Sequence, residues 1–149
     1  AGAITCGWIS DKFFNHKRNV PCLLFCILFV ASTAMFVYVP KGNPWCDYIS
    51  MTVFGYAVYA LVTYLGGLMA VDICSKKATG AAMGVIGLFS YGGATLQESV
   101  GGYLINKYSQ VGLDGNTVYD FTHVGHFWVA ATVATLILPL FVWNAKPED

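Results

Sequence analysis

The sequence predicts an all-α membrane protein, a bundle of helices each long enough to cross a bilayer. Three observations carry that expectation. Residues 20–40 run for 21 positions without a charge, and a hydrocarbon core about 30 Å thick takes roughly 20 helical residues at about 1.5 Å each. Charged residues make up only 11% of the chain and mean hydropathy is +0.59, against about 25% charged residues in soluble domains. The polar interruptions are short, and every second one is strongly basic, which puts the basic ones on the same side of the apolar runs.

Taken in order, residues 1–10 read as the end of a truncated helix, too short to cross a bilayer. The chain opens on Ala1, already inside an apolar run. The simplest expectation is a piece of a longer protein that begins within a helix. Asp11 to Arg18 is a polar, basic loop. Residues 20–40 are the first full span, and 41–47, with Gly42 and Pro44, form a turn rich in helix breakers. Residues 48–71 are the second span, 72–77 a short loop, and 78–105 the third span, which holds Glu98. A polar connection at 106–120 leads to the fourth span, 121–143, and a polar tail. No β-sheet is expected. Lys12, Lys17, Arg18, Lys76, Lys77 and Lys146 fall on one side of this arrangement and Lys41 and Lys107 on the other. Positive charge marks the cytoplasmic side, so the loops at 11–18 and 72–77 and the C-terminus are assigned there.

The spans differ in character. The first and fourth are rich in Leu, Val, Phe and Ala and read as lipid-facing. The third carries Gly80, Gly84, Gly87, Gly92, Gly93, Gly101 and Gly102, and small residues let helices approach closely in lipid. The second and third spans are therefore expected to be packed in the bundle and to line a pathway.

Net charge is zero, which offers nothing to a nucleic acid. The five cysteines, Cys6, Cys22, Cys26, Cys46 and Cys74, show no regular spacing and read as small apolar residues. His123 and His126, one turn apart, lack a nearby Cys or carboxylate to complete a metal site and read as interfacial. No nucleotide loop or catalytic triad order is present. No enzyme, cofactor or metal is expected.

Glu98 is the ionisable residue that stands out, because such a group at membrane depth costs about 2.5–3.5 kcal/mol on insertion scales and usually faces a cavity or a partner. Tyr91, Thr95 and Glu98 share one face at i, i+4 and i+7. Against that stands a plain alternative, in which Glu98 sits near the outer interface and meets water, since it lies roughly 30 Å along its helix. For Asp11 the alternatives are an ordinary polar loop and a charge latch that biases a conformational equilibrium.

Two stretches resemble a known family. Gly7-Trp-Ile-Ser-Asp-Lys-Phe-Phe-Asn-His-Lys-Arg18 resembles the G-x-x-x-D-[RK] signature of the major facilitator superfamily, with its paired basic residues. Ser75-Lys-Lys-Ala-Thr-Gly-Ala-Ala-Met-Gly-Val-Ile-Gly-Leu-Phe-Ser-Tyr-Gly-Gly-Ala94 resembles the corresponding stretch of its organophosphate:phosphate antiporter branch. The resemblance implies a helical bundle running from the end of helix 8 to helix 12, most of a C-terminal six-helix half. It implies exchange of an organophosphate, such as a hexose phosphate or glycerol phosphate, for inorganic phosphate across a bacterial inner membrane. The alternative within the family is a transporter-like sensor signalling to a membrane histidine kinase. The lipid bilayer and the N-terminal half are implied partners, and the phosphate-binding arginines belong to helices outside this chain. Tyr91, Thr95 and Glu98 match substrate-pathway positions, and Asp11, Lys12, Lys17 and Arg18 match the gating loop. His16 stands where that loop usually has Gly. Ala60-Leu-Val62 replaces the aromatic-Gly-Pro element of the glycerol-phosphate branch, which points toward the hexose-phosphate members.

Overall fold

The computed structural model describes residues 2–13, 19–39, 44–111 and 117–141. The chain is a bundle of helices in sequence order: α1 (Gly2–Phe13), α2 (Asn19–Tyr38), α3 (Pro44–Thr63), a π-helical turn (Tyr64–Leu68), α4 (Met69–Ile73), α5 (Thr79–Tyr108) and α6 (Thr122–Phe141). Local chemistry sets several of the ends. Pro44 opens α3, where its missing N–H costs nothing, and Asp47 in the first turn faces the positive end of the helix dipole. The chain leaves α4 at Cys74, whose backbone is extended (φ −91°, ψ 147°). Asp120 Oδ1 accepts the Thr122 N–H at 2.9 Å and so caps α6.

Three helical stretches among the described residues are long and apolar enough to cross a membrane: Asn19–Tyr38, Pro44–Asp72 and Thr122–Phe141. They match the expected spans at 20–40, 48–71 and 121–143, with α3 starting four residues earlier because Pro44 begins the helix instead of breaking it. The expected span at 78–105 is α5. It has the length, 30 residues, but its glycines, Gln97 and Glu98 make it less apolar than the other three. Hydroxyls inside the helices bond back to their own turns, as Thr33 to the Phe29 carbonyl (2.9 Å) and Thr63 to the Tyr59 carbonyl (2.8 Å), a local solution that needs no water.

Three expectations are corrected. The 106–120 connection is not wholly irregular, since Gln110–Val111 and Thr117–Val118 pair as a two-residue antiparallel ladder. The expected lipid-facing α2 is the central helix, packed on α3 and on α6, with Pro21, Cys22, Phe25, Cys26, Ser32 and Thr33 buried while Leu24 and Ile27 stay exposed. Apolarity all round suits a helix that packs on two neighbours and keeps an apolar side facing outward. The glycine-rich α5, expected to be packed in the bundle, is the most open of the long helices, with Gly101 its one buried residue.

Where the core sits follows from size. Cys6 of α1, Cys22, Phe25 and Cys26 of α2, and Ala60, Leu61 and Tyr64 around the end of α3 form one buried cluster. Small thiols and alanines let three helices converge, and the Phe25 ring lies 5.8 Å from both Tyr56 and Tyr64.

Candidate functional site

The stripe expected to line a pathway falls on the open face of α5. Tyr91 is 80% exposed, and Thr95 and Glu98 are exposed beside it. The Thr95 hydroxyl donates to the Tyr91 carbonyl at 2.9 Å and the Ser99 hydroxyl to the Thr95 carbonyl at 2.8 Å. Both hydroxyls therefore present acceptor lone pairs outward, and Glu98 adds a carboxylate. Among the described residues the Glu98 carboxylate has no ion-pair or hydrogen-bond partner. The structure brings Tyr91, Thr95 and Glu98 together on one surface and, among the described residues, sets no cation on that surface.

Why α5 stands so open is visible in its glycines. A Cβ built on Gly80, Gly84, Gly87, Gly92, Gly93 or Gly102 meets nothing within 4 Å, and on Gly101 it meets Val124 Cγ2 at an ordinary 3.6 Å. The one tight glycine contact among the described residues is elsewhere, at Gly125 of α6, where a Cβ would stand 2.9 Å from Val37 Cγ1 of α2. The expected close approach of helices over the α5 glycines is thus absent within the described residues.

Gln97 was not singled out by sequence. It lies about 120° round the helix from Tyr91 and lines a cavity of about 470 Å³ between α2, α3 and α6, whose walls include Phe29, Phe54 and Trp128. One signal was available, since a Gln next to a Glu in an apolar span also resists burial without a partner.

The segment expected to be a gating loop divides. Asp11 and Lys12 lie in the last turn of α1, whereas Lys17 and Arg18 lie outside the described residues. Lys12 is exposed, with Nζ 4.6 Å from the centre of the Trp8 ring, and Trp8 meets Phe13 edge-on at 6.0 Å. Behind this segment α1 is tied to α3 and the π-turn by two tyrosine hydroxyls that sequence reasoning did not find. The Tyr64 hydroxyl donates to the Cys6 carbonyl at 2.6 Å, and Tyr56 Oη and Thr5 Oγ1 share a hydrogen bond at 2.7 Å.

The two histidines lie in the first turns of α6, each against a tyrosine ring. His123 stacks on Tyr108 with centroids 3.7 Å apart and planes 2° from parallel, and its Nδ1 lies 3.9 Å from Asp120 Oδ2. His126 lies against Tyr38. Hydrogen bonds from Thr122, helped by the nearby His123, hold the Asp120 carboxyl below its ordinary range. No group of three His, Cys, Asp or Glu among the described residues could hold a metal ion.

Comparisons with known proteins place this arrangement. The Glycerol-3-phosphate transporter of Bacillus subtilis is 35% identical over 109 residues, covering 72% of this chain and 24% of that protein. The Probable hexose phosphate transport protein of Chlamydia pneumoniae is 31% identical over 151 residues, covering 99% of this chain and 30% of its own length. The Membrane sensor protein UhpC of Escherichia coli is 30% identical over 152 residues, covering 99% of this chain and 31% of its own. The chain thus spans about a quarter to a third of these relatives. No protein-family profile matches the chain, and no solved structure matches it.

Proposed function

The chain belongs to the organophosphate:phosphate antiporters of the major facilitator superfamily, multi-pass integral membrane proteins, and from that premise we propose that its whole protein exchanges a hexose phosphate for inorganic phosphate by alternating access. The observation that carries this reading is the open face of α5. In a secondary transporter the substrate sits near the midplane between two halves that rock against each other. A helix that exposes Tyr91, Thr95 and Glu98 while the remaining helices pack on one another is the natural wall of such a site.

Charge divides the work. A phosphate dianion needs cations, and this face offers hydroxyls and a carboxylate but, among the described residues, no cation. The phosphate end is therefore met by basic residues of the rest of the protein, and the α5 face meets the rest of the substrate. The Chlamydia pneumoniae relative named for hexose phosphate and the Escherichia coli sensor align over 99% of the chain, while the Bacillus subtilis relative named for glycerol 3-phosphate, at the higher identity of 35%, aligns over 72%. That coverage favours the hexose class. The Asp11–Arg18 segment is the gating loop in this reading, and its Lys and Arg residues hold it on the cytoplasmic side of a bacterial inner membrane, with the C-terminus on the same side.

One specific observation supports a second reading, a membrane sensor that binds hexose phosphate and signals to a histidine kinase: the sensor relative matches at 30% over almost the whole chain. Counterflow separates the two. Proteoliposomes of the full-length protein, loaded with unlabelled glucose 6-phosphate, should accumulate external labelled glucose 6-phosphate transiently, and internal inorganic phosphate should serve in its place. Specific binding without counterflow would establish the sensor. Neither binding nor counterflow would overturn both.

A further inference from the structure

The pairing of Tyr91 with Thr95 on α5 recurs on α3. Tyr-x-x-x-Thr occurs three times in the chain, at Tyr48–Thr52, Tyr59–Thr63 and Tyr91–Thr95. In each the threonine hydroxyl donates to the tyrosine carbonyl, at 2.7, 2.8 and 2.9 Å. The threonine proton is thereby committed to its own helix, and the oxygen lone pairs are left for an outside donor. The phenol beside it can donate or accept. One turn of helix thus carries a unit suited to sugar hydroxyls, which also do both.

Tyr59 is 67% exposed, and Thr52 and Thr63 lie within about 40° of it round the helix. Ala57 and Leu61, both buried, lie about 160° away on the packed side. Tyr56 and Tyr64, its neighbours in the same span, have their hydroxyls tied inside the bundle, to Thr5 and to the Cys6 carbonyl. The Tyr59 hydroxyl has no hydrogen-bond partner among the described residues. Hydrocarbon cannot supply one. Tyr59 lies near the middle of the 29-residue stretch Pro44–Asp72, at a depth where an unsatisfied hydroxyl facing lipid is costly. Tyr48, close to the end of that stretch, is placed as an interfacial belt tyrosine is; Tyr59 is not.

Depth sets the α3 and α5 pairs level with each other. At about 1.5 Å per residue, Tyr59 lies roughly 21 Å before the end of α4 at Ile73, and Tyr91 roughly 18 Å after the start of α5 at Thr79. Gly55, one turn before Tyr59, carries no side chain to cover the ring, and a Cβ there would meet nothing within 4 Å. We propose that Tyr59 and Thr63 of α3 are specificity-determining residues of the transport site, which hydrogen-bond the hydroxyls of the hexose phosphate as the α3 counterpart of Tyr91 and Thr95. The proposal rests on the reading of the α5 face as one wall of that site and adds a second wall from another helix.

The experiment uses the full-length protein in proteoliposomes. Tyr59→Phe keeps the ring and removes only the hydroxyl. It should lower exchange of glucose 6-phosphate about tenfold relative to phosphate–phosphate exchange, the ratio one hydrogen bond commands, because inorganic phosphate carries no sugar hydroxyl. Thr63→Val, which replaces the hydroxyl by a methyl, should shift the ratio in the same direction. Tyr59→Cys should react with a membrane-impermeant maleimide, followed by peptide mass spectrometry, and saturating glucose 6-phosphate should slow that reaction several-fold. The native Cys74, half-exposed after α4, is the labelling control. An unchanged ratio for Tyr59→Phe, no labelling of Tyr59→Cys while Cys74 is labelled, or labelling that glucose 6-phosphate does not slow, overturns the proposal. An unchanged ratio for Thr63→Val alone removes Thr63 from it. If glucose 6-phosphate protects Tyr59→Cys but the wild-type protein shows no counterflow, the contact stands and the transport reading falls. Wild-type counterflow with no change in Tyr59→Phe leaves the transport reading standing and removes the second wall.

Discussion

Replacing Gly125 by alanine is the sharpest test of how α2 and α6 fit. A Cβ there would stand 2.9 Å from Val37 Cγ1, 3.5 Å from Cγ2 and 3.8 Å from Cβ. Valine in a helix has one strongly preferred rotamer, so Val37 cannot swing both methyls clear without moving the helix. Such overpacking costs about 1–3 kcal/mol, while exchanging a helical glycine for alanine returns about 1 kcal/mol. The net expectation for Gly125→Ala is a loss of about 1 kcal/mol in unfolding free energy. Gly101→Ala is the internal control. Its Cβ would meet Val124 at 3.6 Å, an ordinary contact, so that variant should be neutral or gain up to about 1 kcal/mol. Truncating the obstacle should reverse the first effect: in a Val37→Ala background Gly125→Ala becomes stabilising, with a coupling of about 2 kcal/mol in the double-mutant cycle. Reversible denaturation of the full-length protein in mixed micelles reads all four corners. If Gly125→Ala stabilises the protein as much as Gly101→Ala does, with no coupling to Val37, the inferred close approach of α2 and α6 is wrong.

Two further expectations follow from the open face of α5 and from the start of α6. On the reading of a hexose-phosphate exchanger, Glu98→Gln, which removes a carboxylate with no partner among the described residues, should alter the preference among sugar phosphates by about tenfold. An unchanged ranking would leave Glu98 outside the substrate site. Asp120, whose carboxyl is held below its ordinary value by Thr122, contributes to the cap of α6 in full at pH above the unfolded-state value, about 3.9, and loses that contribution as pH falls through its lower folded value. Amide exchange at residues 122–125 should therefore accelerate in that acid window, and Asp120→Asn should remove most of the pH dependence. An identical acid profile in the variant refutes the cap.

The part of this protein that residues alone reveal is the part dictated by solvent. A hydrocarbon layer demands apolar runs near 20 residues with their backbone bonds closed internally, and three such runs were legible at nearly their observed bounds. So was the family, through the Gly7–Arg18 and Ser75–Ala94 stretches, because turn geometry and helix contacts restrict residue type at fixed spacing. Which side of each helix meets which neighbour was another matter. In water a polar stripe reveals the outer face; in lipid both faces are apolar and the periodicity carries little. The central place of α2 and the openness of α5 consequently came only from tertiary packing, as did the one glycine among the described residues, Gly125, that a neighbour crowds. The Tyr64–Cys6 and Tyr56–Thr5 ties join residues about fifty positions or more apart, and no local pattern records them. Ser10 shows the same limit at the smallest scale. Sequence makes it an ordinary helical serine, and only the tertiary structure shows it fully buried with no hydrogen-bond partner for its hydroxyl among the described residues.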